Sequence, residues 1–361
     1  MTRRESCGPR KSSCNGVKNT SAEMTPICWL ANDGSVSGRL WGTTRFARDL
    51  RLAIIRGKMT DRISEELEMI RHISLGRRAG ALGVGLIMVS ATSGVALAAT
   101  PKASKDNDAA ALVPAKYKDG LTVATDATYP PDEFMKGSKM VGFDIDLIKA
   151  IGTTLGVKIS TKSAVFDNII PGLKSGQYDV GNSSFTDTAE RQKAVNFVDY
   201  FKAGEQFYTR KGNDSAPKTL AQLCGHSVAV ESGTVEESDA KAQKAKCKNG
   251  KTVKVNTYQT QTDADLSVKS GHSDVGFADS QVAGYIVVQS KGAFQLSGKP
   301  FGVAPYGIAT QRSADGRKLA RAIQAALRVL VDNGVYKGIL EKYGVADGAL
   351  KKSAMVLNGG K

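Results

Sequence analysis

A chain of 361 residues with 41% hydrophobic and 6% aromatic residues can bury one or two ordinary cores, though not strongly aromatic ones. Its formal net charge of +15 invites a nucleic-acid reading, but residues 1–100 hold 15 Lys/Arg against 8 Asp/Glu and so carry about half of it. The remaining 261 residues hold 35 against 27, with lysines scattered rather than striped along one face, which removes nucleic acid as the expected partner.

Residues 1–68 contain three of the five Cys and both Trp, with no sustained periodicity, and read as an upstream extension, disordered or placed there by a misassigned start. Met69 is the alternative start. Residues 69–99 read as a cleavable signal peptide: Arg71, Arg77 and Arg78 form a basic leader, Ala81 to Ser90 an apolar stretch, and Ala96-Leu97-Ala98 a small-residue cleavage site. A transmembrane anchor is the competing reading, since no charge lies between Arg78 and Lys102, but the strongly apolar part spans about 10 residues where a membrane helix needs ~20. The Arg77-Arg78 pair leaves Sec and twin-arginine export both open. No Cys follows the apolar stretch to accept a lipid. Residues 100–116, rich in Ala, Lys and Asp without an apolar period, read as a flexible spacer.

Folded structure is expected from about Leu121. Leu121–Thr125 alternates as a short strand and Tyr129-Pro130-Pro131 breaks it. Asp144 is placed to cap a helix running to about Leu155, with Ile145, Ile148, Ile151 and Leu155 on one face, Gly156 as its stop and Val157 to Ile159 as the next strand. A second helix over Asp167 to Lys174 stops at Gly176, and Tyr178 to Gly181 forms a strand leading into Asn182-Ser183-Ser184. Further on, Ser227 to Val230 is a strand, Gly233-Thr234 a turn, Val235 to Lys246 a helix, and Asp274 to Asp279 a strand ending in a carboxylate. Leu319 to Leu330 and Val335 to Tyr343 are closing helices. Alternating strand and helix units imply an α/β fold with a mainly parallel sheet covered on both faces. Ligands of such sheets sit beyond the carboxyl ends of the strands, which makes Asp126, Ser183, Ser184, Gly233 and Asp279 candidates for one site.

Past residue 100 the only cysteines are Cys224 and Cys247, an even count that points to one disulfide in an oxidising compartment. A metal site built on Cys224, His226 and Cys247 is the alternative, and it lacks a persuasive fourth ligand. Gly250-Lys251-Thr252 ends like a P-loop, but Ala245 stands where its first Gly is required, so nucleotide use is not expected.

Gly142-Phe143-Asp144-Ile145-Asp146-Leu147, followed by Ile151, Gly152 and Leu155, resembles the signature of bacterial solute-binding family 3, the polar amino-acid-binding proteins. Thr125 to Pro131, Gly172 to Asp179, Thr188-Ala189-Glu190-Arg191, Gly233-Thr234, Ala278-Asp279 and Tyr306 to Ala309 match it in order and approximate spacing, so that the resemblance covers about residues 117–345. It implies a two-lobed, periplasmic-binding-protein-like α/β fold of type II, with two hinge strands crossing near Lys202 to Tyr208 and returning near Tyr306 to Ala309. Lobe 1 would comprise 117–204 plus 307–361, and lobe 2 205–306. The lobes would close over an amino acid. The implied partner is an ABC permease with its cytoplasmic ATPase, the implied location is outside the cytoplasm, and the expected state is a monomer without a cofactor.

An amino acid carries a carboxylate and an ammonium on one carbon, so its receptor needs a fixed cation with N–H donors and a fixed anion. By the resemblance Arg191 takes the carboxylate, assisted by backbone N–H groups at Thr186 and at Thr234-Val235 near helix starts. Asp279 takes the ammonium, assisted by Ser183 or Ser184, and Thr186 offers a hydroxyl. Tyr129 and Phe166 match aromatic positions that clamp the ligand side chain between ring faces. The position after Gly-Thr is often polar in the family, whereas here it is Val235, so only its N–H can serve. Asp126 and Glu231 would flank the far end of the ligand, which favours a basic amino acid; if Glu231 faces solvent and Asp126 merely caps a turn, a neutral polar one fits instead.

Two rival functions share this fold class. A dehydratase of cyclic acids would need a placed acid or base, and past the leader only His226 and His272 remain among histidines, neither on an expected strand end. A ligand-sensing module would have to dock to a membrane receptor.

Overall fold

Two long strands organise residues 101–361, the part of the chain that the computed structural model describes. β7 (Val195–Arg210) and β11 (Phe294–Gln311) run antiparallel through the middle of an eight-stranded sheet of order β5-β1-β6-β11-β7-β10-β8-β9. A strand of 16 residues reaches roughly 50 Å at about 3.3 Å per residue, enough to serve two lobes in turn. On one side, β1 (Leu121–Thr125) pairs in parallel with β5 (Ile159–Ser163) and β6 (Val180–Gly181). On the other, β8 (Ser227–Glu231) pairs in parallel with β9 (Lys254–Tyr258) and β10 (Val275–Asp279). These two parallel halves are the sheets of the two lobes, matching the α/β class expected from the strand and helix alternation.

The helices close both faces. α2 (Phe143–Leu155) and α3 (Ile169–Ser175) belong to the first half, and α5 (Val235–Lys246), α6 (Gln261–Ser270) and α7 (Ser280–Gln289) to the second. α8 (Ala314–Asp332) and α9 (Val335–Tyr343) return to the first half, where Leu319, Ile323, Leu327 and Tyr336 join Phe143, Ile148, Ile151 and Phe201 in the largest core cluster. The chain end then lies beside the first part of β7, with Val198 bridging Leu357 and Phe201 bridging Ala349.

Two expectations need correction. The stretch 100–116 is no spacer over its second half: α1 (Asn107–Ala111) is capped by Asp106, whose carboxylate accepts from the Ala109 N–H at 2.8 Å, and Ala109 and Val113 are 2% and 4% exposed. Its few apolar residues suffice because they reach a core that already exists. Asp144 does not cap α2; Gly142 does, and Asp144 is turned inward as a buried acceptor. The register shifts in β11 fall between Ser297 and Ala304, next to the crossing at Gly204, and between Tyr306 and Gly307, within the return expected at Tyr306 to Ala309. Gly204 fits that crossing, since a Cβ there would stand 2.8 Å from the Phe301 carbonyl oxygen.

Cys224 and Cys247 are bonded, with S–S 2.02 Å, so neither thiolate is free for a metal. The bond ties the end of α5 to the turn entering β8. The expected extension 1–68 and signal peptide 69–99 fall outside the described residues. No helix among the described residues is long and apolar enough to cross a membrane.

Candidate binding site

The carboxyl ends of β1, β6, β8 and β10 converge on one narrow cavity. Its walls include eleven of the twelve residues singled out from sequence: Asp126, Tyr129, Phe166, Ser183, Ser184 and Thr186 with Arg191, then Glu231, Thr234, Val235 and Asp279, but not Gly233. Glu133 and Glu236 line it as well and had no place in the sequence reading.

Arg191 sits in α4 (Ala189–Gln192), a single turn whose N-terminus is capped by Thr188 accepting from the Arg191 N–H at 3.2 Å. Its guanidinium donates to the Thr186 carbonyl at 2.9 Å and to the Gly233 carbonyl at 2.8 Å, so it touches both lobes. It lies over the rings of Phe166 and Phe185, at 5.4 and 5.6 Å from the centroids. Phe166 stacks on Phe185 with centroids 4.5 Å apart, so one of its faces is already covered. Burial lowers the Arg191 pKa, against the nearby Glu236 and Asp279, but a guanidinium stays charged. Among the described residues no salt bridge joins Arg191 to a carboxylate.

Asp279 ends β10. The Tyr129 hydroxyl donates to its Oδ2 at 2.9 Å and accepts from its N–H at 3.0 Å, which links the two lobes. The Tyr129 ring therefore packs with Tyr208, Ala264 and Ala278 in the second lobe's core, a different setting from the free clamp face that was expected. Burial raises Asp279 to about 6, offset in part by hydrogen bonds from Tyr306 and Tyr129 and by Arg191.

Ser183 and Ser184 follow β6. The Ser183 hydroxyl accepts from the Asp126 N–H at 2.8 Å and donates to Glu133 at 3.0 Å, while that of Ser184 donates to Asp132 at 2.9 Å. Both hydroxyls are engaged within the protein, leaving the carbonyls as their contribution to a ligand. Ser184 is held at φ 48°, a left-handed conformation costly for a residue with a side chain, and its N–H donates to Asp144 at 3.0 Å. Asp132, Glu133 and Asp144 form a buried acidic cluster in which burial, then the neighbouring Asp144, holds the first two well above the usual range. Thr234 is likewise spent on structure: it caps α5 by accepting from the Glu237 N–H at 3.1 Å, and Glu237 accepts in return from the Gly233 N–H at 2.9 Å, a capping box. Val235, half-buried, is the first residue of that helix.

At the far end, Asp126 accepts from the Thr128 N–H (3.0 Å) and hydroxyl (2.7 Å) at one oxygen and from the Phe166 N–H (2.9 Å) at the other. Glu231 is 2% exposed, so it does not face solvent, and its Oε1 has no partner. Burial, then the charge of Asp126, pushes its pKa well above the ordinary value.

Several contacts draw the lobes together around this cavity. The Ser232 hydroxyl donates to Asp167 at 3.0 Å, and the Gln281 amide to Asp132 at 2.7 Å and to the Tyr306 hydroxyl at 2.6 Å. His226 stands apart from the cavity, 3.7 Å from Asp274.

Residues 121–346 match the family described as bacterial extracellular solute-binding proteins, family 3. The arginine-binding protein of Corynebacterium glutamicum is 30% identical over 237 residues, 64% of this chain and 77% of its own length. The structure is similar to that of an ancestral arginine-binding protein bound to glutamine, at a TM-score of 0.59 and 39% identity, over 63% of this chain and 99% of that one. It is also similar to an ancestral amino acid-binding protein that is a precursor of cyclohexadienyl dehydratase, at a TM-score of 0.56 and 32% identity, over 62% of this chain and 95% of that one.

Proposed function

Because the chain belongs to the bacterial extracellular solute-binding proteins, family 3, we propose that it captures a free amino acid, a basic one by preference, and presents it to an ABC importer without transforming it. The observation that carries this reading is an unmatched set of charges. One guanidinium and several carboxylates share one cavity, yet no ion pair joins Arg191 to any of them among the described residues.

Buried charges without partners are costly, and an amino-acid zwitterion supplies both missing halves: its carboxylate answers Arg191 and its ammonium answers Asp279. Lobe closure then excludes water and strengthens both contacts. The preference for a basic side chain comes from Asp126 and Glu231, whose two carboxylates would otherwise be closed in together. Export through residues 69–99, a monomeric state and a separate cytoplasmic ATPase complete the proposal.

Calorimetry over the common amino acids tests it. Arginine, lysine, ornithine or histidine should bind more tightly than glutamine or glutamate. Tight glutamine binding with no response to basic amino acids would remove the cation preference, and no response to any amino acid would remove the capture reading.

A dehydratase has one observation in its favour: Glu133 lines the cavity and burial pushes its carboxyl pKa well above the ordinary value, the direction a general acid needs. Turnover of a cyclic hydroxy acid by the purified protein would establish it in place of simple capture.

A further inference from the structure

Glu236 is the second residue of α5, directly after Val235, and its side chain lines the same cavity as Arg191 and Asp279. It is 1% exposed, and its Oε1 accepts a hydrogen bond from nothing among the described residues. The charged and titratable groups around it are Asp279 at the end of β10, Glu205 on β7, Arg191 on α4 and Tyr129 on β2 (Thr128–Tyr129). Arg191 attracts it across the cavity but lies beyond salt-bridge distance. Burial, then Asp279 and Glu205, drives its pKa well above the ordinary value.

A carboxylate in this setting is expensive, because its own backbone N–H and the distant Arg191 offset only part of the loss of water. Asp279 is differently placed, since the Tyr129 hydroxyl already fills one of its oxygens. An ammonium carries three donors, more than the open positions of Asp279 alone comfortably satisfy. We propose that Glu236 is a specificity-determining residue that contacts the ligand, forming with Asp279 a two-carboxylate receptor for its α-ammonium. The head of the site thereby demands a protonated amine and discriminates against compounds in which that amine is absent or acylated. This inference rests on the amino-acid capture proposed above.

Glu236→Gln keeps the shape and removes the charge, so it separates the inference from the parent reading. Affinities of the wild type and E236Q are measured for arginine, for its analogue lacking the α-amino group, and for its Nα-acetyl derivative. Hydrogen bonds to charged groups of this kind correspond to about tenfold to a hundredfold in affinity. E236Q should lose that much for arginine and less than about threefold for the des-amino analogue, narrowing the wild type's preference between them.

Equal losses for both ligands, or unchanged arginine binding, would overturn the role of Glu236 while leaving capture intact. Failure of the wild type to bind any free amino acid would overturn both. Thermal melting checks that E236Q is folded, and Glu236→Ala, read by the same affinity ratio, serves if it is not.

Discussion

The two ends of the cavity hold their charges differently. At the head end, Arg191 is aimed by two backbone carbonyls, one from each lobe, and Asp279 is aimed by Tyr129, so opposite charges are fixed in place without neutralising one another. At the far end no cation stands among the described residues, and two carboxylates meet: Asp126, whose oxygens take three donors from Thr128 and Phe166, and Glu231, whose Oε1 has no partner among them. On the capture reading proposed above, the head end would suit any zwitterion, whereas the far end would favour a ligand that brings positive charge. General recognition and selectivity are thus assigned to separate residues, and substitutions can tell them apart.

The largest effect is expected from breaking the head end. Arg191→Ala would leave a ligand carboxylate buried without a partner and also release the Gly233 carbonyl across the cleft, costing about 2–5 kcal/mol of binding, or about thirtyfold to several thousandfold in Kd. Every amino acid that binds should be affected alike. Unchanged affinity by calorimetry would remove Arg191 from the site. Asp279→Ala should weaken binding in the same indiscriminate way.

Glu231→Gln tests the far end and should act selectively. Losing a charge-assisted contact corresponds to about tenfold to a hundredfold for arginine or lysine, while glutamine should be affected by less than about threefold. Asp126→Asn should also weaken binding, but through the backbone it organises, because its oxygens are occupied by Thr128 and Phe166. A Glu231→Gln variant that loses glutamine and arginine equally would contradict the division between the two ends.

Much of this arrangement could be read from sequence because the strands that carry it end in conspicuous residues. Leu121–Thr125, Val235–Lys246 and Val335–Tyr343 fold over the same residues that the sequence indicated. Most of the expected site residues end or follow such strands or begin such helices, while Tyr129 lies on a two-residue strand and Arg191 inside the single turn of α4. What escaped has physical reasons. β7 is buried along nearly its whole length, so it shows no alternation of apolar and polar positions. β9 and the small sheet of β2 (Thr128–Tyr129), β3 (Glu133–Lys136) and β4 (Lys139–Val141) are short and partly exposed, with too few apolar positions to mark them. Glu133 and Glu236 line the cavity, yet a glutamate after a turn or at a helix start ordinarily faces water, and sequence does not display burial. The same limit applied to Glu231, where only burial separates a ligand contact from a surface charge.

The smallest effect is one of pH, and its sign follows from which state holds more protons. Burial raises Asp279 to about 6 and Glu231 and Glu236 well above their ordinary values, so the ligand-free fold keeps protons that the unfolded chain has released above about pH 4. The fold then binds more protons than the unfolded chain, and its stability falls as pH rises through the folded values. Glu237 has the opposite sign: against the burial that would raise it, hydrogen bonds from Lys241, the Gly233 N–H and Thr257 lower its pKa, so its contribution is lost only as pH falls below the ordinary glutamate range. Between pH 5 and 8 the raised groups therefore dominate. A cationic ligand replaces those protons and removes the penalty, so the melting temperature of the free protein should decline over that window while the shift produced by arginine grows, each kcal/mol appearing as about 2–4 °C. Glu231→Gln should flatten the far end's share of this trend and leave that of Asp279. An arginine-induced shift that is constant from pH 5 to 8 would mean that the cavity carboxylates are already ionised without ligand, and the unmatched charges at both ends would then need another counter-charge.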